Sequence, residues 1–253
     1  MNEKYILICT DSIEGIFTGV YDGWKYGNEG AQVELCTEPP SQPEFFSRYE
    51  TVESDPEKAG KVMRTIWREL GRASYEQLCY AACSTDEEKG TCIYYALRDG
   101  LSRRRGNPAV LENLKNPHIL KISKLRQTVW HEMHRFLGFV RFQEIRDGIL
   151  FAAICPDNAI LPLIGPHFAD RLPREDWIIY DEGRAEALLH PAGKPWYIQR
   201  QAVLDGPVEE EDGGYAALWK TFCKNISVAE RENLRAQRQN LPYKYRRYMP
   251  EFW

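Results

Sequence analysis

The run Phe139-Val140-Arg141-Phe142-Gln143-Glu144-Ile145, then Asp147-Gly148, then Ile149-Leu150-Phe151-Ala152-Ala153-Ile154-Cys155 holds two segments rich in aromatic and aliphatic residues around an Asp-Gly pair. Asp and Gly both tolerate positive φ, which the tight hairpin turns require if their twist is to match that of the flanking strands. The run therefore predicts a β-hairpin over 139–145 and 149–155. Immediately upstream, Ile122, Leu125, Val129, Met133 and Phe136 recur at helical spacing. At 100° per residue they fall within roughly 80° of one another, which predicts a long helix over about 118–137. A long amphipathic helix that hands over directly to period-two segments points to an α+β protein.

Downstream, 159–171 reads as a short helical insert, and 177–180, 185–190 and 196–203 read as further strands. An acidic loop at 208–214 precedes helices over 218–226 and 227–241. Upstream, 4–10 and 31–37 read as strands flanking a helix that opens with Asp11-Ser12-Ile13-Glu14. That tetrapeptide has capping-box spacing, in which Asp11 accepts backbone N–H groups and Glu14 reaches back. Gly15, Gly19 and Gly23 share one face of this helix, a pattern suited to close approach of another backbone. Asp55-Pro56-Glu57 starts a second helix, with proline in the first turn, and Gly71 ends it. Ser74 begins a third helix. Thr85-Asp86-Glu87-Glu88 is a second capping box leading to Ile93, Leu97 and Leu101, and Asn107-Pro108 starts a short helix. The expected architecture is one α+β domain over 1–253, with an antiparallel sheet of about five strands packed with several helices. A helical middle insert spans about 55–137 and a basic helical C-terminal arm about 215–253.

The chain of 253 residues is 43% hydrophobic and 28% charged, an ordinary globular composition that excludes collagen, rod-like coiled coil and wholesale disorder. No apolar run nears the roughly 18 residues of a spanning helix, and the N-terminus lacks a signal-peptide pattern, so a cytoplasmic protein is expected. Seven cysteines, an odd number with mostly apolar neighbours, fit reduced thiols. The net charge of −4 conceals two basic segments. Residues 101–146 hold ten lysines and arginines against three acids, and residues 218–253 hold eight against three. Such segments are either solvated helix faces or the electrostatic footprint of a polyanion.

His131-Glu132-Met133-His134 falls one residue short of the zinc-protease H-E-x-x-H, and no third ligand stands nearby, so no metal site is expected. Both histidines lie off the apolar face of their helix. With Lys124, Arg135 and Arg141 they form one candidate contact patch for nucleic acid. Arg231, Arg235 and Arg238 make a basic ridge at i, i+4 and i+7, with Lys220 upstream. Tyr243-Lys244-Tyr245-Arg246-Arg247-Tyr248 then interleaves rings and cations. Cations hold phosphates and aromatic rings stack on splayed bases, so Lys220, Arg231, Arg235, Arg238, Lys244, Arg246 and Arg247 form a second candidate patch in which Tyr243 and Tyr245 would stack. The alternative is an arm packing its tyrosines onto the fold. Cys79-Tyr80-Ala81-Ala82-Cys83 lacks the third cysteine of a radical S-adenosylmethionine motif, since position 86 is Asp86. It reads as two packed helical thiols, and no cofactor is expected. His131, His134 and His167, the last within Gly165-Pro166-His167-Phe168, are the acid–base candidates.

Several stretches, in order, carry a resemblance: residues 133–142, Leu161-Pro162-Leu163-Ile164-Gly165-Pro166-His167-Phe168-Ala169-Asp170-Arg171, Trp177-Ile178-Ile179-Tyr180-Asp181, Leu218-Trp219-Lys220-Thr221-Phe222 and Leu241-Pro242-Tyr243-Lys244-Tyr245. Together they resemble a bacterial family called "probable DNA metabolism protein". Its members are typically encoded beside a radical S-adenosylmethionine DNA repair or modification protein, and a related domain is fused ahead of a uracil-DNA-glycosylase-like domain. The resemblance implies a stand-alone partner whose excision or radical chemistry belongs to another chain. Three functions follow as expectations. The first is a DNA-binding accessory protein acting with a radical S-adenosylmethionine partner. The second is an enzyme acting on a nucleic-acid base or nucleotide through the histidines. The third is a protein-interaction module that binds no nucleic acid.

Overall fold

The computed structural model describes residues 3–102, 106–202, 221 and 234–252. The chain divides into two compact units, residues 1–131 and 132–253. No helix among the described residues is long and apolar enough to cross a membrane.

In the first unit, β1 (Lys4–Cys9) lies between β2 (Gln32–Cys36) and β3 (Ser47–Val52) and runs parallel to both. As the central strand β1 is almost continuously apolar, as a parallel strand covered on both faces must be. Strand β3 has no signature in the sequence. Four consecutive residues, Arg48 to Thr51, are exposed and only Val52 is buried, so no period-two pattern exists and backbone pairing to β1 makes the strand.

Helix α1 (Ile13–Asn28) joins β1 to β2. Its cap is Ser12, whose Oγ accepts from Gly15 N at 2.9 Å, one residue later than the capping-box reading. Asp11 is drawn off instead by Lys89, whose ammonium lies 2.5 Å from its carboxylate. The glycine row does what its spacing suggests: a Cβ on Gly19 would stand 2.2 Å from Cys9 Sγ and 2.9 Å from Leu35. Helix α2 (Pro56–Glu69) is capped by Asp55, which accepts from Glu57 N at 2.8 Å and Lys58 N at 3.1 Å. Helices α3 (Arg72–Ala82) and α4 (Lys89–Leu101) follow. No side chain caps α4. Ser84 and Asp86 take the N–H groups of Asp86 and Glu88, replacing the second expected capping box. Ile16, Phe17, Leu35, Ile66, Leu78, Ile93 and Leu97 fill the core.

Helix α5 (Pro117–Phe139) spans the division between the units and continues two residues beyond the predicted end. In the second unit the strands β4 (Gln143–Ile145), β5 (Ile149–Ile154), β6 (Trp177–Asp181), β7 (Glu186–His190) and β8 (Tyr197–Gln199) lie side by side in chain order. The β4–β5 hairpin turns through Asp147 at φ 64° and Gly148 at φ 72°, the conformation expected of the Asp-Gly pair. The all-antiparallel sheet is corrected: β5 and β6 are parallel, so the sheet is mixed. The reason is α6 (Leu161–Arg171), the expected helical insert, which is the crossover a parallel pair requires. Phe168 of α6 packs edge to face with Phe142 and Trp177, which also meet each other edge to face, and Trp177 stacks on His190 at 4.9 Å. After Ala202 the described chain includes α7 (Leu234–Asn240) and α8 (Tyr243–Arg246). The expected acidic loop at 208–214 and most of the helices read over 218–241 lie outside the described residues. The six described cysteines are free thiols, and burial pushes Cys9 up to about 12 and Cys79 and Cys92 up to about 11.

Candidate nucleic-acid interface

The glutamate of the His-Glu-Met-His segment organises the second unit. Glu132 falls on the apolar stripe of α5, between Val129 and Phe136, and is 5% exposed. An unpaired carboxylate is expensive to bury, so it must be saturated with hydrogen bonds. Four donors meet it: Asp157 N at 2.8 Å, Asn158 N at 2.8 Å, Asn158 Nδ2 at 2.6 Å and the Tyr245 hydroxyl at 2.7 Å. The first three come from the loop after β5, and the fourth comes from α8. Glu132 thus clips two chain segments to α5.

Tyr245 is 3% exposed, its ring edge-on to Phe136 at 4.9 Å and tilted against Phe139 at 5.8 Å. Burial, and then the hydrogen bond to Glu132, push its hydroxyl well above the usual tyrosine range, so it stays a donor. It is the anchor of the arm and offers no ring face to a base. Met249 and Pro250 are buried behind it.

Three expected contact cations are engaged by carboxylates. Arg141 donates from Nε at 3.1 Å and Nη2 at 2.8 Å to Glu251, and from Nη1 at 2.7 Å to the Gly138 carbonyl. Lys244 pairs with Asp157 in the loop after β5. Arg247 pairs with Glu182, just after β6, at 3.0 Å, and the Tyr248 hydroxyl donates to the same carboxylate at 2.7 Å. Asp181 is fully buried; its carboxyl is raised by burial, against which Arg184 acts.

Lys244 and Arg247 keep much of their surface in solvent despite these pairs, and the most exposed ring among the described residues of the arm lies beside its cations. Tyr243 is 60% exposed. The Arg246 guanidinium lies 4.5 Å from its centroid and that of Arg238 5.5 Å. Arg246 is held in place by Phe252, 4.8 Å away, and by the Leu241 carbonyl at 3.3 Å. Arg235 is exposed on α7, and Arg135 and His134 are exposed on the last turns of α5. Arg135 lies three residues beyond Glu132, the residue that holds the arm through Tyr245. Docking by Tyr245 therefore brings the end of one basic segment and part of the other together. Lys124 and His131 are exposed on the part of α5 that belongs to the first unit. Lys220 and Arg231 lie outside the described residues. His167 sits in α6 with its Nε2 enclosed and lacking a hydrogen-bond partner among the described residues.

Sequence reasoning left out Glu132 and its donor Asn158, and the carboxylates of Asp157, Glu182 and Glu251 that pair with Lys244, Arg247 and Arg141. Only Glu132 carried a signal, a charged residue in phase with an apolar stripe. Among the described residues no group of three or more histidines, cysteines and carboxylates could hold a metal ion. The profile of one family, described as a domain of unknown function (DUF4130), matches residues 87–251. No curated protein matches the chain.

Proposed function

The chain belongs to the DUF4130 family, a domain of unknown function, and from that premise we propose that it is a nucleic-acid-associated accessory protein in DNA repair or modification. The observation that supports this reading is the exposed Tyr243 ring flanked by the Arg238 and Arg246 guanidinium groups, on an arm that Tyr245 clamps to α5. A ring with cations beside it suits a base that is single-stranded or splayed out, with the flanking phosphates on the arginines. Arg135 and Arg235 extend the positive surface. Arg141, half-buried on Glu251, serves chiefly to hold the arm, while Lys244 and Arg247, exposed in their pairs, remain available to phosphate. The radical S-adenosylmethionine partner belongs to the same proposal and rests on the family resemblance alone.

The test is fluorescence anisotropy with single-stranded and double-stranded DNA across a salt series. Stacking is worth about 1–3 kcal/mol per base, so Tyr243→Ala is expected to weaken single-strand binding by roughly 5- to 150-fold. Arg238→Ala should shrink the log–log salt slope by about 0.7 for the phosphate contact it removes. Absence of binding at low salt, or binding indifferent to both substitutions, overturns the reading.

A further inference from the structure

We propose that the groove where α1, α2 and α4 meet in the first unit binds a single nucleoside phosphate, its base against Tyr21 and Trp24 and its phosphate on Lys25, Lys61 and Arg68. The groove encloses about 600 Å³, within the range of roughly 300–1,000 Å³ found for small-molecule sites. Tyr21, Trp24 and aliphatic side chains make up much of its lining, and among the described residues three cations line it against the single carboxylate of Glu69. An uncharged apolar ligand would leave those cations unused, and a bare inorganic anion would leave the rings unused. A planar heterocycle carrying phosphate uses both.

The aromatic wall is already ordered. Arg98 lies over the Trp24 ring at 5.7 Å, and Tyr94 meets the same ring edge-on at 6.3 Å. Arg98 in turn donates to the Tyr94 hydroxyl at 3.2 Å, and that hydroxyl donates to the Gly23 carbonyl at 3.0 Å. A fixed indole loses little entropy on binding. Tyr21 is 40% exposed, with the Lys61 ammonium 5.7 Å from its centroid. Lys25 makes no ion pair among the described residues. Lys61 pairs with Glu57 at 2.8 Å and Arg68 with Glu69 at 2.7 Å. Both cations are exposed, and exposed pairs are weak enough for a phosphate to replace them.

The inference rests on the first unit alone and is independent of the reading of Tyr243. The experiment is isothermal titration of the full chain with ATP, adenosine and inorganic triphosphate, and of a variant carrying Lys25→Glu, Lys61→Glu and Arg68→Glu. ATP is expected to bind in the micromolar to millimolar range. The triple reversal should weaken it by about tenfold or more at unchanged melting temperature, as loss of several phosphate contacts requires. Tyr21→Ala should weaken it by roughly fivefold, the lower end of one stacking contact. No heat with millimolar ATP overturns the site. So does triphosphate binding as tightly as ATP, which removes the base, or adenosine doing so, which removes the phosphate. ATP binding that survives the triple reversal places the ligand elsewhere. A short oligonucleotide that outcompetes ATP and is itself weakened by the triple reversal replaces the single nucleotide with a strand. Tyr243→Ala leaves ATP binding unchanged, which separates failure here from failure of the arm.

Discussion

Tyr245→Phe removes one atom from the clip that holds the C-terminal arm. The ring stays, with its contacts to Phe136 and Phe139, and the change deletes a 2.7 Å hydrogen bond to the buried Glu132 carboxylate. Hydrogen bonds to charged groups contribute about 1.5–3 kcal/mol. Glu132 keeps its three donors from Asp157 and Asn158, so the loss is expected near the middle of that range, about 2 kcal/mol. Because the bond joins the arm to α5, the effect should appear first as local opening. At RT of about 0.59 kcal/mol, 2 kcal/mol is roughly a 30-fold faster amide exchange for the bonded amides of Tyr245, Tyr248 and Met249. Urea denaturation should show a lower midpoint at unchanged slope. The hydroxyl also sets a pH dependence. Its folded pKa lies above the unfolded value of about 10, so its stabilisation is complete below pH 10 and declines as pH rises above it. Other tyrosines titrate there too, Tyr26 being pushed up to about 12 by Glu50 and by burial, so the quantity to read is the difference between wild type and Tyr245→Phe. That difference should shrink above pH 10. A Tyr245→Phe protein with wild-type exchange in 245–249 and an unchanged midpoint would refute the clip.

Gly19→Ala should destabilise the first unit by about 1–3 kcal/mol, because the new methyl meets Cys9 Sγ at 2.2 Å and overpacking outweighs the gain in helix propensity; a rise in the urea midpoint contradicts this. Asp11→Asn should lower stability by about 2 kcal/mol, since Lys89 is 1% exposed and loses its carboxylate, a smaller loss than for a wholly buried pair because Asp11 is half exposed; an unchanged midpoint contradicts it. Mass-spectrometric mapping of thiol labelling at pH 8 should find Cys155, half-buried, modified well before Cys9, Cys79 and Cys92, whose thiols burial holds near 11–12. Early labelling of Cys9 would contradict the packing of α1 on β1.

The elements whose signal is local are legible in the sequence. The Asp147-Gly148 hairpin, the Asp55-Pro56 helix start, the glycine face of α1 and the long apolar stripe of α5 each depend on residues within a few positions of one another. Strand β3 is not legible, because an edge strand with four exposed residues in succession owes its existence to β1. The parallel pairing of β5 and β6 is not legible either. A crossover helix and an inserted helix have the same sequence, and only the strands' partners tell them apart. The basic segments show the same division. Composition determined that 234–248 would be cationic and aromatic. Which of those groups is buried and which stay at the surface was decided by residues distant in sequence: Glu132 draws Tyr245 into the fold, Asp157 and Glu182 pair with Lys244 and Arg247 at the surface, and Tyr243 and Arg238 are left exposed. Periodicity reports which face of an element is apolar, but the pairing of one charge with another depends on distances that exist only once the chain has folded.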